Sequence, residues 1–188
     1  ILDYFLNFSN DWACNIKIKI MLTNTLSNKK ILIYGLGLSG YSCLHYLCKK
    51  NNVRVYDDNN SLKNKKNKNI FLTKNKIVNS KFDFIILSPG IDIQKCKLSS
   101  YLVNNHNKII TELDIFYLSH PDNKKITITG TNGKSSTCKM LYNIFKLKKY
   151  DVRLVGNIGR SPLEEKKIRK KTIFIIEASS YQISYSKY

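Results

Sequence analysis

Short apolar runs alternate with amphipathic segments along most of this chain. The runs Lys30–Tyr34, Phe82–Leu87 and Thr172–Ile176 are dominated by Ile, Leu and aromatic residues. Continuous apolar strands are typical of parallel sheets that helices cover on both faces. The succession of strands and helices therefore predicts an α/β fold with parallel sheets.

The first part of the chain is predicted to contain a βαβ unit followed by further strands and helices. Between the first two strands, a helix is expected to place Leu44, Leu47 and Cys48 on one side. The segment 59–69, rich in Asn and Lys, is expected to be a solvated loop or a frayed helix. The predicted strands are Lys30–Tyr34, Val53–Tyr56, Phe82–Leu87 and Ile109–Ile110, and the later helices are Leu98–Asn105 and Glu112–Ser119.

A second unit is predicted to begin near Pro121 and to contain three strands. The run Ile126–Thr129 leads into a glycine turn and an amphipathic helix that ends near Lys149. Strands are predicted at Tyr150–Val155 and Thr172–Ile176. Since the sequence stops soon afterwards, we expect this sheet to lack neighbouring strands. The last strand would then be an exposed edge prone to intermolecular pairing.

The glycine turn of the second unit has the composition of a phosphate-binding loop. Glycines allow backbone N–H groups to converge on an anion, a lysine adds a point charge, and the next hydroxyl can ligate Mg²⁺. The usual GxxxxGK[ST] spacing is not met, because Ile128 stands where its first glycine would be. The strand, the compact GxxGKS loop and the helix nevertheless predict ATP binding rather than an incidental turn. The loop residues are Gly130, Thr131, Asn132, Gly133, Lys134, Ser135 and Ser136.

Another glycine motif, GxGxxG, follows the first predicted strand. It consists of Gly35, Gly37 and Gly40, and Asp57 lies 22 residues beyond Gly35 at the end of the next strand. This arrangement indicates a diphosphate at a helix N-terminus and a carboxylate near a ribose. A dinucleotide and a UDP-sugar both supply these groups, and the glycines could instead serve only the tight turn.

Together the two glycine loops predict a Rossmann-like N-terminal domain followed by the first part of a P-loop ATP-binding α/β domain. We assign residues 1–28 to an extension of unknown role, because the chain begins with Ile1 rather than Met. Residues 29–120 are assigned to the first domain and residues 121–188 to an incomplete second domain.

The net charge of +19 does not by itself indicate nucleic-acid binding. Only four of the 32 basic residues are Arg, and Lys occurs with abundant Asn, Ile and Tyr, a bias typical of AT-rich coding sequence. Nucleic-acid sites usually cluster basic residues, often Arg, on one face. We therefore expect no specific nucleic-acid partner, with a lysine-rich binding module as an alternative.

The five cysteines and three histidines show no metal-ligand or disulfide spacing. Cys43, Cys48 and Cys138 fall in predicted helices, and we expect them to be small buried apolar side chains. No apolar run approaches membrane-spanning length, and no basic segment precedes a continuous hydrophobic one near the start. We therefore expect no membrane partner and a cytoplasmic location.

Five motifs, taken in order, make the chain resemble the Mur ligase family, most closely its D-glutamate-adding members. The phosphate loop is common to Mur ligases and folylpolyglutamate synthetases. The N-terminal GLGLSG and the strand end EASSYQ favour the D-glutamate-adding branch, and the resemblance covers about residues 29–188. The five motifs are Gly35–Gly40, Ser88–Ile91, Gly130–Ser136, Gly156–Gly159 and Glu177–Gln182.

The resemblance implies a role for each motif. It implies ATP and Mg²⁺ as cofactors, with Lys134 and Glu177 as catalytic residues and Ser135 and Glu177 as the Mg²⁺ ligands. An acid directly after a buried strand also sits where α/β sheets bind ligands, although it could merely cap the strand. The implied substrate-binding residues are Leu38 and Ser39 by the nucleotide, Asp57 by the uridine, Ser88, Pro89 and Gly90 near the sugar-diphosphate, and Asn157 near the nucleotide-substrate junction.

The implied reaction is ATP-driven amide formation in peptidoglycan precursor synthesis. A substrate carboxylate attacks the γ-phosphate to give an acyl phosphate, and an amine then displaces phosphate. The implied substrates are UDP-N-acetylmuramoyl-L-alanine and D-glutamate.

Two departures from the family pattern limit this interpretation. Asp58 and Asn59 stand where the family often has Thr-Arg, so the uracil contact does not carry over. The sequence ends before the family's downstream histidine motif, carbamylated lysine and third domain. We expect this chain alone to be inactive and the full-length enzyme to be a monomer. An NAD-dependent dehydrogenase using GxGxxG, or another Mur-type or folylpolyglutamate ligase, stays open as an alternative.

Overall fold

The computed structural model describes residues 26–59 and 68–187. Within these residues seven strands form two parallel sheets, which confirms the predicted α/β class. The strands are β1 (Lys30–Tyr34), β2 (Asn52–Tyr56), β3 (Phe84–Leu87), β4 (Ile109–Ile110), β5 (Lys124–Ile128), β6 (Val152–Gly156) and β7 (Ile173–Glu177). The helices are α1 (Leu38–Leu47), α2 (Lys74–Val78), α3 (Ser99–Asn104), α4 (Glu112–Ser119), α5 (Lys134–Leu147) and α6 (Ser180–Tyr185), with 3₁₀ turns at Lys68–Ile70, His106–Lys108 and Pro162–Glu164.

The first sheet has the strand order β2-β1-β3-β4 and is covered on both faces. Ile31 and Ile33 of β1 pack in a core with residues of α1 and α4. Leu32 and Tyr34 of the same strand pack on the opposite face with residues of α2 and α3. Burial on both faces explains why the strand is a continuous apolar run. The parallel arrangement brings the carboxyl ends of β1, β2 and β3 to one edge.

The second sheet has the order β5-β7-β6, which places the last strand in the middle. β7 pairs with β5 on one side and with β6 on the other, and all five of its residues are buried. The expectation that Thr172–Ile176 forms an exposed edge is therefore wrong. The chain crosses from β6 over the sheet and inserts β7 between the two earlier strands, so β5 and β6 are the edges.

Helix α4 lies between the two sheets and packs on both. Leu113 and Phe116 contribute to the core of the second sheet, where the Phe116 and Phe174 rings meet edge to face at 4.8 Å between centroids. Ile115 and Leu118 contribute to the core of the first sheet. The two units therefore share this helix, and the predicted boundary near residue 121, just after it, stays a prediction.

Most predicted elements agree with the structure to within two residues, and α4 has the predicted bounds. Cys43 and Cys138 are buried as predicted, whereas the expectation for Cys48 is wrong. Cys48 is exposed because it is the capping residue just beyond the end of α1. Residues 1–25 of the predicted extension and most of the segment 59–69 lie outside the described residues. In the part of the chain that the structure describes, no helix has the length and apolar character needed to span a bilayer.

Candidate functional site

Two glycines shape the loop between β5 and α5. Gly130 has φ of +146° and Gly133 has φ of +79°, a backbone range that other residues rarely adopt. Apart from adjacent backbone, no atom of the described residues lies within 4 Å of a Cβ added at Gly133, so its conformation and not crowding requires glycine. Residues 129–133 are exposed. The loop and the N-terminus of the 14-residue helix α5 are thus accessible to an anion.

Lys134 is the first residue of α5, and its side chain folds back over the loop. Its Nζ donates hydrogen bonds to the backbone oxygens of Gly130 at 2.5 Å and Thr131 at 3.0 Å. Ser135, the next residue, is half-buried in the first turn of the helix. The loop therefore carries a cation and a hydroxyl next to its glycines, as the GxxGKS motif predicts.

Glu177 ends the central strand of the second sheet and is only 5% exposed. Its partners in register are Ile128, two residues before Gly130, and Gly156 at the end of β6. Its Oε2 is buried and has no hydrogen-bond partner among the described residues. A buried carboxylate oxygen without a donor is costly, and a bound cation would satisfy it.

The oxygen donors at this edge fit Mg²⁺. Mg²⁺ is usually bound by one or two carboxylates together with substrate phosphates and waters. Glu177 offers the unpartnered carboxylate oxygen, and Ser135 offers a hydroxyl at the start of α5. Residues 26–59 and 68–187 contain no group of three or more His, Cys, Asp or Glu side chains that could hold a metal. Phosphate oxygens and waters would supply the other ligands of such an ion.

The turn after β6 is held against Glu177 by the backbone. The N–H of Asn157 donates to the Glu177 carbonyl at 2.9 Å. A Cβ added at Gly156, which has φ of +106°, would lie 2.2 Å from that same oxygen. Gly156 must therefore be glycine for the turn to approach the strand. Because β7 lies between β5 and β6, the exposed Asn157 sits on the side of Glu177 opposite the phosphate loop.

The glycine turn after β1 is shaped by residues from the next two strand ends. The N–H of Leu36 donates to Asp57 Oδ2 at 2.6 Å, and the Ser88 hydroxyl donates to the Gly35 carbonyl at 2.7 Å. A Cβ added at Gly40 would lie 1.9 Å from the Gly35 oxygen, so α1 reaches the turn only without a side chain there. Asp57 and Ser88 thus hold the turn itself.

The other predicted substrate-binding residues of the first unit lie around the same turn. Leu38 begins α1 and is 90% exposed, and Ser39 beside it is half-buried. Pro89 is half-buried and Gly90 is exposed in the loop after β3. The structure places these residues at one sheet edge, while their contacts with a substrate stay predictions.

A narrow cleft of about 10 Å³ lies between the first unit and α6. The start of α6 is fixed by a capping box, in which Ser179 and Gln182 exchange side-chain and backbone hydrogen bonds. Because Ser88 and Pro89 line this cleft together with Tyr181 and Gln182, these two predicted residues lie next to the Glu177–Gln182 motif. The cleft is lined by Leu87, Ser88, Pro89, Ile91, Thr111, Tyr181, Gln182 and Tyr185.

A larger cleft, of about 260 Å³, lies at the opposite edge of the first sheet. It is formed by the ends of α1 and α4 and by the residues just before β1, including Leu26, Lys50 and Leu118. None of the predicted site residues lines it, so we do not place the function there.

The sequence assigned no role to Asp58, which the structure places beside the first glycine turn. The Tyr34 hydroxyl donates to Asp58 Oδ2 at 2.8 Å, and burial together with this carboxylate raises the pKa of Tyr34. Asp58 Oδ1 is buried with no hydrogen-bond partner among the described residues, and the Lys97 ammonium lies 3.9 Å away. The sequence feature that could have indicated a role for Asp58 is that it stands beside Asp57, directly after a strand.

A second unpredicted group lies where α1, α4 and the segment after β6 meet. The Ser161 hydroxyl donates to Glu112 Oε1 and lies 2.5 Å from the Ser42 hydroxyl. Burial raises the pKa of Glu112, while hydrogen bonds from Ser161, Ser39 and Ser42 oppose that shift. These contacts join residues 49 and 119 positions apart, which leave no local signal in the sequence.

Two family models match the chain. The N-terminal domain of Mur ligases of the MurD-like type matches residues 29–110, and the Mur ligase middle domain matches residues 128–188. The two matched ranges contain the two glycine loops, one in each.

Similar curated proteins carry the name UDP-N-acetylmuramoylalanine--D-glutamate ligase. The protein from Buchnera aphidicola subsp. Schizaphis graminum is 39% identical over 166 residues, covering 82% of this chain and 36% of that protein. The protein from Rickettsia felis is 34% identical over 173 residues, covering 87% of this chain and 37% of that protein. The chain thus spans little more than a third of the length of these relatives.

A solved structure is also similar to this chain, at 15% identity and a TM-score of 0.46. It is the UDP-N-acetylmuramate:L-alanyl-gamma-D-glutamyl-meso-diaminopimelate ligase from Neisseria meningitides, matched over 81% of this chain and 53% of that one. So low a score adds nothing to what the two sheets already show.

Proposed function

The chain belongs to the Mur ligase family, and we propose that its two units bind the UDP-linked substrate and Mg²⁺–ATP of a D-glutamate-adding ligase. The proposed reaction joins UDP-N-acetylmuramoyl-L-alanine to D-glutamate in peptidoglycan synthesis. The names of relatives at 34–39% identity support this choice of substrates. Since the chain spans about 36% of the first relative's length, we propose ligand binding rather than turnover for the chain alone.

The observation that carries the proposal is the unpartnered Oε2 of Glu177 beside the phosphate loop. A buried acid at the end of the central strand is unfavourable unless a cation binds there. The adjacent strand leads directly into the GxxGKS loop, so the same edge offers groups for phosphate and for a divalent ion. An incidental glycine turn would not need such a carboxylate.

The residues of the second unit would position and neutralise the triphosphate. The loop N–H groups and the N-terminus of α5 would bind phosphate oxygens. The Lys134 ammonium would move from the Gly130 and Thr131 carbonyls to these anions. Glu177 and Ser135 would hold Mg²⁺, which when bound neutralises phosphate charge in phosphoryl transfer. The substrate carboxylate would then attack the γ-phosphorus in a preorganised electrostatic environment, which breaks the β,γ-phosphoanhydride bond and releases ADP. The amine of D-glutamate would attack the resulting acyl phosphate, form the amide and release phosphate.

The residues of the first unit would hold the UDP group. The turn at the start of α1 offers N–H groups to a diphosphate, and Asp57 stands at the end of the next strand, on the ribose side in such folds. Asn157, beside Glu177, would contact the substrate where it approaches the nucleotide. The Ser88–Gly90 loop would lie along the sugar-diphosphate.

Calorimetric titration of the 188-residue chain tests the proposal. We expect saturable binding of UDP-N-acetylmuramoyl-L-alanine and, separately, of Mg²⁺–ATP. Binding of NADH without binding of the UDP-linked ligand would instead support a dehydrogenase. Tight oligonucleotide binding that falls steeply with salt would support a nucleic-acid-binding module.

The proposal includes a cytoplasmic location and a monomeric full-length enzyme. ATP and UDP-linked precursors are the ligands that the two units are proposed to bind, which supports a cytoplasmic setting. Cell fractionation would test the location, and analytical ultracentrifugation of the full-length enzyme would test the monomeric state.

A further inference from the structure

A buried carboxylate joins the two units at a point that the proposed function does not use. Glu112 is the first residue of α4 and is 3% exposed. Because α4 packs on both sheets, this side chain lies at their junction. Its Oε1 accepts a hydrogen bond from the Ser161 hydroxyl, which in turn lies 2.5 Å from the hydroxyl of Ser42.

Each of these serines lies next to a predicted ligand-binding residue. Ser42 is one turn along α1 from the predicted substrate-binding residue Ser39. Ser161 lies four residues after Asn157 and caps the 3₁₀ turn Pro162–Glu164. The Glu112 carboxylate therefore bonds to the segment after the Asn157 turn in the second unit and, through the Ser161 hydroxyl, is linked to the GxGxxG helix of the first unit.

Packing alone does not explain a glutamate at this position. A buried carboxylate costs free energy that an apolar side chain of similar size would avoid. Hydrogen bonds to a carboxylate are directional and weaken steeply when donor and acceptor shift out of line. A hydrogen-bonded chain from a carboxylate through Ser161 to Ser42 therefore fixes the relative position of the elements it joins more narrowly than apolar contacts would.

We propose that Glu112 is a positioning residue that holds the UDP-binding turn and the Asn157 turn in one arrangement, so that a single ligand can contact both. This inference rests on the proposed function, which assigns the two turns to one substrate. UDP alone would contact the first unit, whereas UDP-N-acetylmuramoyl-L-alanine would extend to the second. Replacing Glu112 should therefore reduce the affinity for UDP-N-acetylmuramoyl-L-alanine more than the affinity for UDP.

The test compares the affinities of the complete chain for UDP and for UDP-N-acetylmuramoyl-L-alanine by calorimetry. E112Q keeps the shape of the side chain and removes its charge, and S161A removes one donor. We expect each variant to reduce the affinity ratio of the two ligands by about fivefold to tenfold. S161T retains a hydroxyl and should keep the parental ratio. D151N alters a carboxylate that Thr172 bonds within the second unit, and this control should also keep the ratio.

The outcomes separate the inference from the proposed function. If the parental chain binds both ligands and the ratio is unchanged in E112Q and S161A, the positioning role is wrong and the proposed function stands. An equal loss of affinity for both ligands, with a lower urea midpoint, would show a purely structural role and also overturn the inference. If the parental chain binds neither ligand, both proposals fail. If circular dichroism shows that E112Q does not fold, the affinity ratios of S161A and S42A decide whether the positioning role is correct.

Discussion

The ammonium of Lys134 is held over the phosphate loop by two carbonyl oxygens of that loop. Replacing it with alanine should weaken Mg²⁺–ATP binding by about 1.5–3 kcal/mol, because a charge-assisted contact to phosphate is lost. The matched control is K146A on the same helix, whose side chain lies exposed beside Tyr142. Calorimetry should show a loss for K134A alone. Equal affinities of K134A and the parental chain would exclude this loop as the ATP site.

Glu177 is predicted to matter for Mg²⁺ and not for the stability of the ligand-free chain. E177Q removes a buried charge with an unpartnered oxygen, so the urea midpoint without ligand should stay the same or rise. The gain in ATP affinity on adding Mg²⁺, measured against EDTA, should largely disappear. E165Q, at a carboxylate that pairs with Arg153, should keep that gain. An undiminished Mg²⁺ effect in E177Q would contradict the metal role.

Predictability at the residue scale depended on whether a residue's partners are close in sequence. The phosphate loop was predictable because Gly130, Gly133 and Lys134 are contiguous and follow a strand. Their roles as ligands to ATP stay predictions. The contact of Glu112 with Ser161 was not predictable, since it joins residues 49 positions apart across two units. No local pattern encodes such a meeting.

At the scale of elements, the turn after β6 depends on the absence of a single side chain. Gly156 has φ of +106°, and an added Cβ would lie 2.2 Å from the Glu177 carbonyl. G156A should therefore lower the free energy of unfolding by about 2 kcal/mol or more, through backbone strain and displacement of β7. G90A is the matched control, because the described residues place nothing within 4 Å of its Cβ. Urea denaturation of both variants checks this, and equal stabilities would show that the turn can relax.

Element bounds were more predictable than the arrangement of elements. Local signals define a single helix well, as in α4, where Thr111 and Asp114 form a capping box and the predicted bounds hold. Strand order is different, because an apolar run of five residues looks the same at the centre of a sheet and at a buried edge. β7 was expected at an edge and lies in the centre, since the crossover after β6 decides its place. The aggregation expected from that edge therefore loses its physical basis.

At the scale of the whole molecule, α4 makes the two units depend on each other. Phe116 packs against Phe174 of the second sheet, while Ile115, one residue earlier, packs in the first. The C-terminal segment adds another link, since the hydroxyl of Ser186 donates to the buried Asp114 at 2.5 Å. Two independent units would each unfold in a transition of its own. Shared burial favours a single cooperative transition instead.

Two core substitutions decide between these descriptions. F116A removes a ring from the second-sheet core, and L102A removes a side chain that is 0% exposed in the first-sheet core. Each substitution should lower the free energy of unfolding by about 2–5 kcal/mol. If the chain unfolds as one unit, hydrogen exchange across a urea series should show the amides of β1 and β7 losing protection at one shared midpoint. Each variant should then lower that midpoint by the same amount in both strands. Independent units would give a different result: L102A would lower the midpoint of β1 and leave that of β7 unchanged. That result would show that the first unit is stable on its own.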